Sequence, residues 1–565
     1  MNGSVKVRAL WSDVGHASQA CDWSRAAVLY ERIIAAGEVD IAVRDLVADS
    51  LYLAAFQRST RAEFKRAIRG ALKAYLRSGA RPRARARASF CSYWLLDQPD
   101  ERRRILLGEV LPRAREAAEE TKRGPNQARW AQAHFELLEC LAEGDCISSD
   151  QSQAESLAQE ALRIGREALT RFIKTSDSAA FVAVTNEFVV MLNACLGIAL
   201  TPEQQAQLDP VLITLGRRLS RVAGSLPSSR LRSLAYEAIG WIEFGQHHDY
   251  TASTADFRTA LGEAHSSRDS LLIGREALFT LISMAWQYET SDNEGLRQSI
   301  LRNAGPYASL ALSRLKVSLC AGQLSQAYYW SVGFLKEMAK SGHPQPSRLA
   351  VLTRAVLQGR QGSRYGRYCP LNSVAQSLAE VALVKADLLA SRPARWKTLS
   401  EAKLPLEDLV SRVQARSPVD PWNLGCYLGT LGTVELKLAS ATTSGRRRRG
   451  LLLDSCAHLT HSVELLSRSP TLAGHENTPA EQSEQLGAAF VSLHVLTERS
   501  EDARSAIRAF EDAIRFYSRL RMHRFMAPLA SKVAEVYEAL SEPSRATEAR
   551  GRAAAFLRAS KTKSH

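Results

Sequence analysis

Three basic clusters and one cysteine–histidine cluster are the parts of this 565-residue chain whose types and spacing bear on chemistry. The run RPRARARA sets Arg81, Arg83, Arg85 and Arg87 at every second position, which spreads them around a helix but lines one side of an extended segment. Pro82 favours a helix start, so these four read as a solvated, phosphate-tolerant patch. GRQGSRYGRYCP interleaves Arg360, Arg364 and Arg367 with Tyr365 and Tyr368, a composition that stacks on bases and pairs with phosphates, or equally clamps an acidic peptide. SGRRRRG (Arg446, Arg447, Arg448 and Arg449) falls between two helical stretches and reads as an RNA-binding loop, a processing site or a disordered basic loop. Plain solvated charge is the first reading of each cluster, and an anionic partner the second.

Catalytic and metal chemistry find little support. A nucleophile needs a base and an oxyanion site, usually on a strained strand-to-helix turn, and no GxSxG is present. Cys456 has His458 and His461 close by in DSCAHLTHSVELL, yet residues two apart on a helix point to different sides; a packed helix with histidines at its solvent edge is expected. His247 and His248 are sequential, and no HxxxH, HExxH or paired CxxC supplies converging ligands. The glycines of GCYLGTLG (Gly425–Gly432) lack the lysine of a phosphate loop and suit close helix packing. The expectation is therefore no catalytic residue, no metal and no cofactor, in a protein that is not an enzyme.

Composition frames this. Lys and Arg number 74 against 59 Asp and Glu, for a formal charge of +15, with 45% hydrophobic residues. The balance attracts nucleic acid, acidic peptide or anionic lipid without requiring any of them, and roughly half of the excess lies within residues 1–125. The nine cysteines are odd in number and scattered, unlike a disulfide framework, so a reduced, cytoplasmic setting is expected. The opening residues have no apolar core of a secretory signal. The most apolar stretch, Phe188 to Leu200, contains Asn193 and is too short to span a bilayer; no membrane partner is expected.

The elements that would position these clusters are helices. Apolar residues recur at i, i+3, i+4 and i+7 through most of the chain, and alternating strand patterns are missing. One helical face returns several times: Trp23, Ala26, Tyr30 and Ile33; Phe64, Ala67, Ala71 and Ala74; Leu324, Ala327, Ser331 and Phe334; Ala503, Ala506, Phe510 and Ala513; and, near the end, Ala546 and Ala553. The small residue at the second position lets a neighbouring helix come close. This small–aromatic–small pattern resembles the second helix of a tetratricopeptide repeat. Anchors recur 41 residues apart from Ala26 to Ala67 and 40 apart from Ala506 to Ala546, longer than the repeat of about 34 that the family shows, and the Trp-Leu-Gly-Tyr signature of the first helix is mostly absent, although Tyr537 stands nine before Ala546. The lysine-and-asparagine clamp with which chaperone-binding members hold an acidic C-terminus is also missing.

The resemblance implies an all-α, superhelical α-solenoid of stacked antiparallel hairpins. Breakers divide it into an N-terminal array over 1–340, a basic Gly/Arg/Tyr connecting segment over 341–372 and a C-terminal array over 373–565, with a further polar linker at Ser467–Gln482. The function expected is a non-enzymatic scaffold or adaptor that holds a partner protein on the concave solenoid face. The alternative is an RNA-associated or regulatory subunit of a signalling or defence complex whose basic patches contact nucleic acid.

Overall fold

Helix starts are written locally into the chain. Asp22, Thr60, Ser228, Asp249, Asp269 and Asn293 each accept a backbone N–H from the turn that follows, satisfying donors that a helix start otherwise leaves open. Ser391 and Ser444 do the same further on. The computed structural model describes all residues except 1, 38–40, 80, 123–132, 135, 142–150, 173–177, 195–201, 292, 341–344, 364, 366–373, 416–420, 470–476, 521 and 562–565. Among the described residues there is no strand. The chain divides into two compact units, Met1–Phe334 with Gln361–Asn372, and Leu335–Arg360 with Ser373–His565.

The first unit begins with α1 (Asn2–Gln19), α2 (Trp23–Ala35), α3 (Ile41–Phe56), α4 (Arg61–Ser78), α5 (Pro82–Leu95) and α6 (Pro99–Ile105), the last running through a π-helical segment into α7 (Leu111–Lys122). It continues with α8 (Gln151–Phe172), α9 (Ser178–Ala194), α10 (Pro202–Val222), α11 (Ser229–Ile242), α12 (Tyr250–Ser267), α13 (Ser270–Thr290), α14 (Glu294–Ser318) and most of α15 (Ala321–Lys340). The second unit contains α16 (Gln345–Gly362) through Arg360, then α17 (Val374–Leu388), α18 (Arg392–Gln414), α19 (Pro421–Ala441), α20 (Gly445–Arg468), α21 (Thr478–Thr497), α22 (Ser500–Arg519), α23 (His523–Ala539) and α24 (Pro543–Lys561). Within each unit successive helices pack against one another as hairpins, α11 on α12, α13 on α14, α19 on α20, α21 on α22 and α23 on α24. This is an all-α, tetratricopeptide-like stack of helical hairpins.

Close approach is achieved with small residues, as the repeated face requires. Ala26, Ala327, Ala503, Ala506 and Ala546 are all buried. Ala506 is fully enclosed, so Ala506→Leu should overpack α22 against its neighbours and cost roughly 1–3 kcal/mol; a melting temperature equal to the parent's would show that the helix has room to shift. In α4 the phase differs from expectation: Phe64, Ile68, Ala71 and Tyr75 point inward while Ala67 and Ala74 are only half-buried. A 3.6-residue period accommodates a step of three or four, and the Tyr75 hydroxyl, donating to Asp49 at 2.6 Å, selects the latter.

Glycine–phenylalanine contacts also recur. A Cβ on Gly240 would stand 2.9 Å from the Phe257 ring, and one on Gly487 would stand 2.5 Å from Phe510. The glycines of α19 are packed likewise: a Cβ on Gly425, Gly429 or Gly432 would meet Leu466, Gln482 and Leu459 at 2.8, 2.4 and 2.6 Å. Ser455 and Ser462 of α20 donate to the buried carbonyls of Gly432 and Gly425.

The first unit departs from a one-dimensional array. α4 packs against α14, and α6 is tied to the end of α14 by a cationic side chain. Leu319, which ends α14 with φ 56°, presents its carbonyl to Arg102. Arg102 is 1% exposed and donates also to the carbonyls of Ser318 and Leu96 at 2.9 Å, with its guanidinium 5.0 Å from the Tyr93 ring. Arg61 lies beside it, donating to Trp94 and Leu96 carbonyls at 2.8 Å and paired with Asp97 at 3.0 Å. Burial, then the neighbouring Arg102, pull its pKa down to about 10. Gln57 makes a second long-range tie, donating to the carbonyl of Cys21 between α1 and α2 and to that of Ser267 at the end of α12.

Candidate functional site

Arg83 and Arg87 of α5 are turned inward, which corrects the expected solvated patch at those two positions. Arg83 and Arg87 are four apart on one helix face, and that face is buried. Arg83 pairs with Asp49 at 3.0 Å and Glu136 at 2.6 Å, and Arg87 pairs with Glu136 at 3.2 Å and Glu139 at 2.8 Å while lying 4.8 Å from the Tyr52 ring centre. Burial opposes both charges, and the facing carboxylates outweigh it, so both pKa values rise. Arg81 is paired with Asp45, and Arg85 meets Glu116 at 2.7 Å on the surface.

Farther along the same unit, Arg275 donates to Glu237 at 2.8 Å and stands 3.8 Å from Glu187. Burial, followed by the Glu237 charge, raises Glu276 well above the ordinary carboxyl range. The protonated form of Glu276 is thereby favoured beside Glu237. Glu237 and Glu276 are fully buried, so these are internal ties.

Arg360 lies near the end of α16 and pairs with Glu401 at 2.5 Å. Tyr365 stacks on Tyr328, ring centres 6.1 Å apart and planes within 9°. Arg364, Arg367 and Tyr368 lie outside the described residues.

Arg446, Arg447, Arg448 and Arg449 form the first turn of α20, capped by Ser444, rather than a loop. Among the described residues none of their guanidiniums has a carboxylate partner, unlike Arg81, Arg83, Arg85, Arg87 and Arg360. Four positive charges at the positive end of a helix dipole also oppose it, so helix stability does not account for them.

Beside them an open groove of about 690 Å³ runs between α18 and α20. Trp396, Ser400, Lys403, Leu404 and Glu407 come from one face of α18, Leu438 from α19, and Arg446, Arg447, Leu451 and Asp454 from α20. Arg447 lies over the Trp396 ring at 4.6 Å. Leu404 is 70% exposed. Beneath the groove, the buried carboxylate Glu435 accepts from Lys403 at 3.0 Å and pairs with His458 at 2.7 Å. Burial works against the Lys403 charge, but Glu435 and Glu407 outweigh it and raise its pKa; the hydrogen bond to Glu435 raises that of His458. Lys403 is thereby neutralised from within, and the uncompensated charge of the groove is that of the arginines.

His458 points to Glu435 and away from any thiolate chemistry. Burial pushes the neighbouring Cys456 thiol up to about 12, so it is protonated at neutral pH and a poor nucleophile. Among the described residues no group of three or more His, Cys, Asp and Glu side chains is placed to hold a metal ion, and no helix is long and apolar enough to cross a membrane. Sequence reasoning singled out the arginines but missed Trp396, Lys403, Leu404 and Glu407. Their signal was the i, i+4, i+7, i+8, i+11 spacing in RPARWKTLSEAKLPLEDL, which a single Pro405 obscured.

No family model and no curated protein sequence matches the chain. Among solved structures it is similar to the apo form of RapI (11% identity, TM-score 0.44, covering 76% of this chain and 98% of that one) and to a Rap protein complexed with competence and sporulation factor (14%, 0.33, 73% and 99%). It is also similar to a human IFIT1 dimer with PPP-AAAA (13%, 0.26, 82% and 96%).

Proposed function

We propose that this protein is a non-enzymatic helical-repeat scaffold in a cytoplasmic assembly, binding a partner protein through its helical surface. The observation that carries this reading is the contrast among its arginines: Arg83 and Arg87 of α5 are consumed by internal carboxylates, whereas Arg446 and Arg447 line an open, partly apolar groove with no carboxylate partner among the described residues. A stack of hairpins offers side chains on rigid helices, and such a surface suits recognition of another chain. The second reading, RNA association, draws on the same arginines and on Trp396, since arginine and an aromatic ring together suit phosphates and bases.

The two readings separate on purification of the full chain with and without nuclease. Protein co-elution that survives nuclease, with an absorbance ratio typical of protein, is expected. Loss of all co-eluting material on nuclease treatment, with RNA recovered from the untreated sample, supports the second reading instead.

A further inference from the structure

We infer, building on the scaffold reading, that the α18–α20 groove recognises an acidic peptide segment that carries a bulky aliphatic or aromatic anchor. The floor is apolar, made by Leu404, Leu438 and Leu451, and nothing in the described chain covers Leu404. Such a surface is satisfied by a side chain from outside, which removes apolar area from water. The rim on the α20 side is cationic through Arg446 and Arg447, whose guanidiniums lack carboxylate partners, and these offer charge-assisted hydrogen bonds to Asp or Glu flanking the anchor.

The carboxylates of the lining decide between peptide and nucleic acid. Asp454 lies two turns beyond Arg447 on α20, and Glu407, paired with Lys403 at 3.3 Å, lines the α18 side, so a polyphosphate laid along the groove would meet both, whereas a peptide can turn backbone N–H groups toward them. Among the described residues Trp396 is the one aromatic ring in the groove lining and carries Arg447 over it at 4.6 Å, unlike the series of platforms on which successive bases of single-stranded nucleic acid stack. Arginines at the start of α20, a carboxylate two turns farther along it and an aliphatic floor specify a polarised segment, its acidic residues toward the start of α20 and its anchor inward.

The test is fluorescence anisotropy of the full chain with four labelled probes: a short peptide of Asp and Glu around a Leu-Leu-Phe anchor, the same peptide with the anchor changed to serines, polyglutamate of equal length, and oligouridylate. The anchored acidic peptide should bind tightest. R446S/R447S and L404E should each weaken it by about tenfold or more, while the charge-matched pair R508S/R515S on α22 should change it by less than about twofold. Leu404 is exposed, so L404E leaves melting nearly unchanged and its effect reads binding.

Equal binding of polyglutamate and the anchored peptide would reduce the site to a diffuse basic field, as would equal losses from both arginine pairs. Preferential binding of oligouridylate that the groove variants abolish would overturn the peptide assignment. If none of the probes binds while nuclease-resistant protein partners persist in R446S/R447S and L404E, the groove is not the contact, and the scaffold reading stands without it.

Discussion

Replacing Arg102 with Met should destabilise the first unit by on the order of 4 kcal/mol, because hydrogen bonds to a charged group are each worth about 1.5–3 kcal/mol and their loss leaves buried acceptors unpaired. Arg102 has no ion-pair partner among the described residues; it is held by the carbonyls of Leu96, Ser318 and Leu319 and by the Tyr93 and Trp94 rings. Those carbonyls include the last of α14, where a helix has no acceptor-satisfying turn of its own, and Leu319 is in a left-handed conformation that costs a leucine about 1–2 kcal/mol. The methionine keeps most of the packing volume and removes every donor. Arg104 is exposed, so R104M serves as the control and should fall within about 0.5 kcal/mol of the parent. Denaturant unfolding followed by hydrogen exchange near residues 94–102 and 315–320 reads the difference. Equal stability of the two variants would show that the carbonyls find other donors.

The second large effect is a pH dependence centred on Glu187. Burial pushes its carboxyl up to about 7 from an ordinary value of 4.5, with Arg275 pulling the other way and Glu139 and Glu237 adding to the rise; Arg230 on α11 also lowers it. The folded chain therefore holds this proton at pH values where the unfolded chain has released it. Stability from this group is complete below about pH 4.5, falls as pH rises through the window to about 7, and is level above it. The full swing is on the order of 3 kcal/mol, because each tenfold drop in proton activity across that window removes about 1.4 kcal/mol. Glu187→Gln carries no titrating group, so its stability relative to the parent should climb from pH 5 to pH 7.5 and then plateau. Parallel curves for the two proteins over that range would mean that Glu187 is ionised throughout the folded state, with Arg275 as sufficient partner.

How much of this was legible in the sequence depends on how far each feature reaches along the chain. α22 was readable because Ala503, Ala506, Phe510 and Ala513 lie within eleven residues and share one face. α4 was readable as a helix but not in phase, since choosing Ile68 over Ala67 requires knowing that Tyr75 reaches Asp49. The alternating arginines of α5 were visible as charge, yet what turns Arg83 and Arg87 inward is Glu136 and Glu139, about fifty residues on. The groove follows the same rule: Trp396 and Arg447 belong to helices with α19 between them, and no local pattern joins them. The Gly487–Phe510 approach needed knowledge that α21 lies on α22, after which the pair is evident.

The Arg102–Leu319 tie has a consequence for synthesis. Its two ends are 217 residues apart, and a ribosome adds about 5–20 residues per second, so the interval between their emergence is roughly 10–40 s. For that time α1 through α6 are complete in sequence, and Trp94 has Phe56, Phe64 and Phe90 to pack on, but the helix end against which Arg61 and Arg102 dock has not been made. A hairpin array that closed only between neighbours would mature continuously from its first repeat. This chain instead waits for residue 319, and until then the two guanidiniums lack the α14 carbonyls that they hold in the finished fold.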